Sequence, residues 1–531
     1  MAIKAVIKRN LYKDSVALMR IAQEVVARTG VRRATLLMGT RGNKDLLAQA
    51  GLLDAAVQNA QPSDVMIVID DEAVDLIAQA VRTAESLIEG EQPRRDGKEP
   101  ADAPPRSIAM GLALAPNANL AQISVPGPYA GAEALKALRQ GLNVFLFSDN
   151  MPLEQERAIK ELGRRKGLLV MGPDCGTAII HGVPLGFANV VRRGHIGLVG
   201  ASGTGLQEVT CRIHQMGAGV SHAIGTGSRD MYEEIGGSTM CHALELLAAD
   251  RDTNVIVIVS KPPSAAVRQR VLRDAESIGK PVVVCFLGSS DRGIASQGQV
   301  HLASTLYDAA AQAVKLVGVR PSLGEDTPLQ EAIAGEARKL RAEQKYLRGL
   351  FSGGTFCSEA QIIWRQCQIT AYSNAPLDRE HRLADGAASR EHCAIDLGSD
   401  EFTVGRPHPM IDHRLRIERL LAEARDPSVA AILLDVVLGY GSHEDPAGTL
   451  GPAIREAKAA AARDGRYLPI ICFVCGTEDD PQILSVQEEK LRREGVFLAP
   501  SSTAAARLAA ALVRGVTTES GQTRRPAADL R

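Results

Sequence analysis

Three stretches in the last third of the chain repeat three stretches of its middle in the same order, and nothing else narrows the possible folds as much. Gly203-Thr204-x3-Glu208 recurs as Gly354-Thr355-x3-Glu359, 151 residues later. Asp252-Thr-Asn-Val-Ile-Val-Ile-Val259 recurs as Asp426-Pro-Ser-Val-Ala-Ala-Ile-Leu433, 174 later, and Lys280-Pro-Val-Val-Val-Cys-Phe-Leu-Gly288 as Leu468-Pro-Ile-Ile-Cys-Phe-Val-Cys-Gly476, 188 later. An order that is kept while the offset grows describes one supersecondary unit present twice, with insertions in the second copy.

Within each copy short apolar strands alternate with helical patterns, the signature of a parallel sheet with right-handed crossovers. In the first copy the strand from His195 runs into Ala201-Ser-Gly-Thr-Gly205 and then into an amphipathic helix. Gly203 and Gly205 let the backbone approach a ligand, Ser202 and Thr204 carry hydroxyls, and the free N–H groups of the new helix point into the turn. The spacing is neither GxxxxGK[ST] nor GxGxxG. Two readings stand for such a turn, a bare connection or an anion seat. Repetition favours the seat, because the next strands end in Gly225-Thr-Gly-Ser-Arg-Asp230, Ser260-Lys-Pro-Pro263 and Gly288-Ser-Ser290. Ligands in open α/β sheets bind beyond the carboxyl ends of strands. The candidate anion-binding residues are therefore Ser202, Gly203, Thr204, Gly205, Gly227, Ser228, Ser260 and, from the second copy, Gly353, Gly354 and Thr355. Arg229 and Lys261 are the candidate catalytic cations.

A chain of 531 residues is too long for one core. Residues 1–90 read as a small α/β domain and 91–106, rich in proline and charge, as a linker. Residues 107–193 form a Rossmann-like parallel-sheet domain, which includes a strand expected at 108–113. The first repeat copy spans 194–319, a helical linker 320–345 and the second copy 346–516; a polar tail, 517–531, is expected to be disordered. Inside the second copy the run Asp396 to Asp412 is polar and aperiodic, and such loops are uncommon unless they bind something. Arg406, His408 and Asp412 are its candidate cluster, with Arg406 as an anion contact and His408 as an acid/base group, and a purely scaffolding loop stands as the alternative. The spacing of His408 and His413 is not a metal signature, and no metal is expected.

Charge and cysteine usage exclude several functions. With 61 basic and 62 acidic residues no global field would draw nucleic acid or an anionic membrane, and 3% aromatic content argues against base stacking. No apolar run reaches the roughly 20 residues that span a bilayer, and the first residues lack a signal-type apolar core, so a cytoplasmic protein is expected. The nine cysteines read as reduced core thiols. Cys472 and Cys475 form a lone CxxC, which reads as a buried structural pair.

The motifs resemble a known family. The repeat behind a parallel-sheet domain is similar to the α side of succinyl-CoA synthetase and related ADP-forming acyl-CoA synthetases. More specifically, Ile123-Ser-Val-Pro-Gly-Pro-Tyr-Ala130, Met171-Gly-Pro-Asp-Cys-Gly-Thr177, Gly200-Ala-Ser-Gly-Thr-Gly-Leu-Gln-Glu208, Arg348-Gly-Leu-Phe-Ser-Gly-Gly-Thr355 and Phe402-Thr-Val-Gly-Arg-Pro-His-Pro-Met-Ile-Asp412 resemble the FdrA family. The resemblance implies a CoA-binding-type Rossmann domain followed by two flavodoxin-like ligase-CoA-type domains. Acyl-CoA synthetases of this kind carry a phosphohistidine before a Tyr-Asp-Ala-Ala segment. Here Tyr307-Asp-Ala-Ala310 is present, but the residue eleven before it is Ser296, and His301 lacks the expected turn. What the FdrA resemblance implies instead is a subunit of an oxamate carbamoyltransferase, converting oxalurate and phosphate to oxamate and carbamoyl phosphate with two companion subunits and no cofactor. CoA would be bound under the alternative, an acyl-CoA synthetase.

Overall fold

The structure, a computed structural model, describes residues 2–11, 13, 15–40, 43–44, 47–48, 51–90, 105–288, 298–321, 335–384, 388–403 and 407–519. Its contacts divide the chain into two compact units, Met1–Pro104 with Asp400–His408, and Pro105–Ser399 with Pro409–Arg531.

The first unit is built on an antiparallel sheet in which Val65–Asp71 lies between Ala2–Lys8 and Arg33–Met38. The central strand is apolar from Val65 to Ile69 because both faces are covered. Ile67 and Ile69 pack against Leu18, Ile21 and Val25 of helix Ser15–Thr29 and Ile77 and Ala84 of helix Val74–Gly90. Met66 and Val68 pack on the other face with Leu47, Leu52 and Val57.

The second unit opens with a helix, Ile108–Leu114, where alternating Ile108, Met110 and Leu112 suggest a strand. Ser107 accepts a hydrogen bond from Met110 N at 3.2 Å and none of the seven residues is buried. A helix closes its hydrogen bonds locally, whereas a strand needs a neighbour to pair with. Three parallel strands follow, Leu120–Ile123, Asn143–Leu146 and Val170–Met171, packed on helices Gly127–Arg139 and Leu153–Lys166. The hairpin Thr177–Ile180 and Val183–Gly186 leaves this small sheet and adds to the next, where Ile179 pairs with Ala223.

Both repeat copies are α/β and share one topology. Arg193–Gly200, Val220–Gly225, Val255–Ser260, Val282–Phe286 and Val300–Leu302 lie parallel in the spatial order second, first, third, fourth, fifth. Tyr346–Phe351, Cys393–Asp396, Val429–Val437, Ile470–Cys475 and Phe497–Ala499 take the same order, which is the flavodoxin-like arrangement. The ladders correct one offset. Leu198 faces Val257 while Gly349 faces Leu433, so the third strands correspond at 176 residues rather than 174. The register irregularity between Tyr346 and Leu347, where the partner steps from Val429 to Ala431, takes up one residue of that difference. The fourth strands keep 188, since Val257 faces Val283 and Leu433 faces Ile471.

One apolar core runs through both copies, joining Leu206, Val209 and Ile213 to Phe356, Ile363 and Leu512. Trp364, wholly buried in it, donates from Nε1 to Ala506 O at 3.0 Å. The last helix, Ser502–Glu519, continues past 516, and residues 520–531 of the expected tail lie outside the described residues. In the linker 320–345 the described part contains the short turn Ala337–Lys339. Among the described residues no helix is long and apolar enough to cross a membrane.

Candidate functional site

The first strand of each copy ends in a glycine turn that starts a 13-residue helix, Gly203–Gln215 and Gly354–Gln366. These two helix starts meet. Ser202 Oγ lies 2.6 Å from Thr355 Oγ1, and Ser202 also accepts from Gly205 N at 3.0 Å. A Cβ on Gly353 would come within 2.4 Å of Thr204 Cγ2, so only glycine lets the turns approach this closely. Ser202, Thr204 and Thr355 are all buried.

Lys261 follows the third strand of the first copy and reaches the second helix start. Its Nζ lies 2.5 Å from the point a Gly354 Cβ would occupy, and Asp396 Oδ2 lies 2.6 Å from the same point. Asp396 ends the second strand of the second copy and accepts from Gly398 N at 3.1 Å. A lysine at a helix N-terminus sets positive charge beside the positive end of the dipole, which favours an anion between them. Asp396 supplies part of that negative charge.

Buried charge stands behind the second turn. Asp435, wholly buried in the strand Val429–Val437, accepts from Ser352 N at 2.8 Å and from the Ser352 hydroxyl, and Arg416 donates to Asp435 O at 2.6 Å and Leu350 O at 3.3 Å. One turn into the helices sit two buried carboxyls at matching positions, Glu208 and Glu359. Ser502 N donates to Glu208 Oε1 at 3.0 Å. Glu359 receives Leu306 N at 2.8 Å, Ser502 Oγ at 2.5 Å and Thr503 Oγ1 at 3.0 Å. Burial pushes its pKa up to about 7 even though those hydrogen bonds pull the other way, and Glu208 adds to the rise.

The structure thus brings together Ser202, Gly203, Thr204, Gly205, Gly353, Gly354, Thr355 and Lys261. The other candidates lie elsewhere. Arg229 donates to Met151 O at 2.7 Å and pairs with the buried Glu156 at 2.9 Å, inside a network that also holds Lys160 and Asp230. Gly227, at φ +87°, packs against Pro173 O, and Ser228 beside it is exposed. Ser260 is buried and its carbonyl accepts from Leu287 N. His408 belongs to the other compact unit, and Arg406 lies outside the described residues. So does Ser296, while His301 sits in the strand Val300–Leu302, paired with Val283. Sequence reasoning passed over Asp396, Asp435 and Arg416, although a lone aspartate in Ala431-Ile-Leu-Leu-Asp-Val-Val437 was a readable signal of a buried partner.

All nine cysteines are free and eight are buried, Cys472 and Cys475 among them. Among the described residues one group, Asp378, Glu380 and His381, sets three possible metal ligands within 4.8 Å. Asp378 is paired with Arg365 at 2.5 Å, and the group borders a cavity of about 230 Å³ walled by Ile369, Ala371 and Leu377.

Comparison with known proteins follows these units. Residues 191–288 match a CoA binding domain, 350–512 a CoA-ligase domain, and 1–104 a domain described as AllF, heavy metal-associated. The CoA-binding match thus falls on the first repeat copy. The uncharacterized protein YahF of Escherichia coli is 46% identical over 506 residues, which is 95% of this chain and 97% of that protein. An ADP-forming sulfoacetate-CoA ligase subunit of Bilophila wadsworthia is 26% identical, covering 38% of this chain and 70% of its own length. An ADP-forming succinate–CoA ligase alpha subunit of Archaeoglobus fulgidus is 25% identical, covering 33% and 61%.

Proposed function

Because the chain belongs to the same family as Escherichia coli YahF, we propose that it is a cytoplasmic subunit of a carbamoyltransferase that interconverts oxalurate and phosphate with oxamate and carbamoyl phosphate. The AllF-type domain at residues 1–104 supports a place in allantoin nitrogen catabolism. The subunit ligases among its relatives support assembly with companion subunits, of which we propose two.

The observation that carries the reading is Lys261 at the start of the second-copy helix, a start that meets the first-copy turn through Ser202 and Thr355. Both reactants are small anions, and two helix starts with one ammonium suit them better than a nucleotide. A phosphate oxygen attacks the carbamoyl carbon of oxalurate, forming a C–O bond. The oxyanion of the tetrahedral intermediate is met by backbone N–H groups and Lys261. The C–N bond then breaks, and the proton released from phosphate passes to the oxamate nitrogen. Positioning the two reactants together supplies about 7–11 kcal/mol of such a barrier. Ser202 and Thr355 orient the phosphate in this scheme; Arg229 holds the loop that follows the second strand. No histidine occurs between Leu287 and Val300, where a phosphohistidine loop of an acyl-CoA synthetase would stand.

The second reading, an ADP-forming acyl-CoA synthetase or a CoA-binding subunit, is favoured by the CoA-binding and CoA-ligase matches. One assay separates the two. The chain assembled with its two companions should form carbamoyl phosphate from oxalurate and phosphate, unaffected by CoA, while the chain alone does little. Lys261→Met should lower kcat/KM by the equivalent of about 2.7–4 kcal/mol, the value of one oxyanion donor. Strict dependence on CoA and nucleotide, with no carbamoyl phosphate formed, would replace this reading by the ligase.

A further inference from the structure

The family that covers residues 1–104 is described as heavy metal-associated, and the residues present do not fit a heavy metal. Soft and borderline metals are held by thiolate, imidazole or thioether groups, usually two to four of them converging on one point. Residues 1–104 contain no cysteine and no histidine. The segment Asp400–His408, which belongs to the same compact unit, adds a single imidazole, that of His408.

The thioethers whose side chains are described, Met38 and Met66, do not make up the deficit. The domain has Met1, Met19, Met38 and Met66. Met38 is buried among Leu36, Ile67 and Ile69 on the face covered by the two long helices, whereas Met66 is buried on the opposite face with Leu47, Leu52 and Val57. One ion cannot reach both through the sheet. Of the carboxylates, the remaining donors, five among the described residues hold the chain itself. Asp64 accepts from Asn10 N at 2.9 Å and Gln61 N at 2.8 Å, Asp71 from Arg32 N at 2.7 Å and Ala73 N at 2.9 Å, and Asp54 from Val57 N at 2.8 Å. Asp70 pairs with Arg32 at 2.5 Å and Glu85 with Lys8 at 2.9 Å. The first of these is the most telling. Asp64 ties the loop after the first strand to the start of the last, and the two N–H groups hold its carboxyl below the usual carboxylate range.

We infer that this unit keeps the architecture of a heavy metal-associated domain without the metal. Among the described residues, the loops at Asn10, Asp54, Asp64 and Asp71 are closed by backbone hydrogen bonds to carboxylates, and the apolar faces are filled by the chain's own side chains. It contributes surface to the protein, not a metal store or a metal relay. This holds whichever reaction the rest of the chain performs.

The reduced full-length protein, titrated with Cu(I) and with Zn(II) against a chromophoric chelator, tests it. Thiols of the second unit contribute equally in every variant, so the comparison isolates the first. Full-length Met38→Leu and His408→Ala should match the parent in stoichiometry and affinity, and a chain of residues 105–531 should bind as many equivalents as the whole. Loss of one equivalent on removing residues 1–104 would overturn the inference. If the shortened chain fails to fold, the point variants decide, because a tenfold weakening in either one would overturn it as well. Met38→Leu keeps volume and polarity, so it leaves the core intact.

Discussion

The two repeat copies share a topology and meet at their glycine turns, yet they anchor those turns in opposite ways. In the first copy the residue after the strand is Ala201, and the ladder position beside it is Val259, whose carbonyl accepts from Ala201 N at 3.1 Å. The turn is closed by apolar contact and by the Ser202 cap. In the second copy the equivalent positions are Ser352 and Asp435, held by Arg416 in a wholly buried ionic cluster, and no side chain caps Gly353. The third strand of the first copy goes on to an exposed lysine, while the second strand of the second copy ends on Asp396. What differs between the copies is therefore charge, not fold. A cation from one copy and a helix start from the other are thereby brought together, an arrangement that neither copy offers by itself.

Breaking the charged anchor should have the largest effect. Asp435→Ala leaves the Arg416 guanidinium buried and unpaired, and should cost about 3–5 kcal/mol in chemical denaturation. The double variant Asp435→Val/Arg416→Leu imitates the first copy and should recover most of that loss. If the double variant is no better than the single one, the two anchors are not interchangeable.

A smaller effect separates the paired glutamates. With its pKa in the fold raised to about 7, above that of an unfolded glutamate, Glu359 binds its proton more tightly when the chain is folded. Its contribution is present at low pH and is lost as pH rises toward 7. Glu359→Gln should then equal the parent near pH 4.5 and exceed its stability at pH 8 by about 3 kcal/mol. A flat difference across that range would mean that Glu359 is ionised without penalty.

Smallest is the cap. Ser202→Ala removes the acceptor of Gly205 N and one side of the contact with Thr355, and should cost about 0.5–2 kcal/mol. Thermal unfolding that finds no change would place the strength of the first turn wholly in its apolar contacts.

Much of this was legible along the chain. The α/β character of residues 1–90, the strands of both copies and the presence of a Gly-Thr helix start in each follow from apolar periodicity, turn residues and repeated spacing, which are local properties of the backbone and its side chains; that the two starts meet does not. Ile108–Leu114 was misread because alternation over seven residues does not reveal whether a pairing strand exists. The offset of 176 was hidden for a related reason, since a register irregularity costs the sequence nothing visible. The gathering of a site depends on contacts between distant residues. Lys261 and Arg229 follow equivalent strand ends and look alike in sequence, yet one reaches the helix start of the other copy and the other is bound to Glu156 of a neighbouring helix. By itself the sequence determined the α/β class, the doubled supersecondary unit and the glycine turns, because periodicity and turn chemistry act over a few residues. Only the tertiary structure decided which charges share a site, because burial and pairing depend on how the two copies pack through their common core.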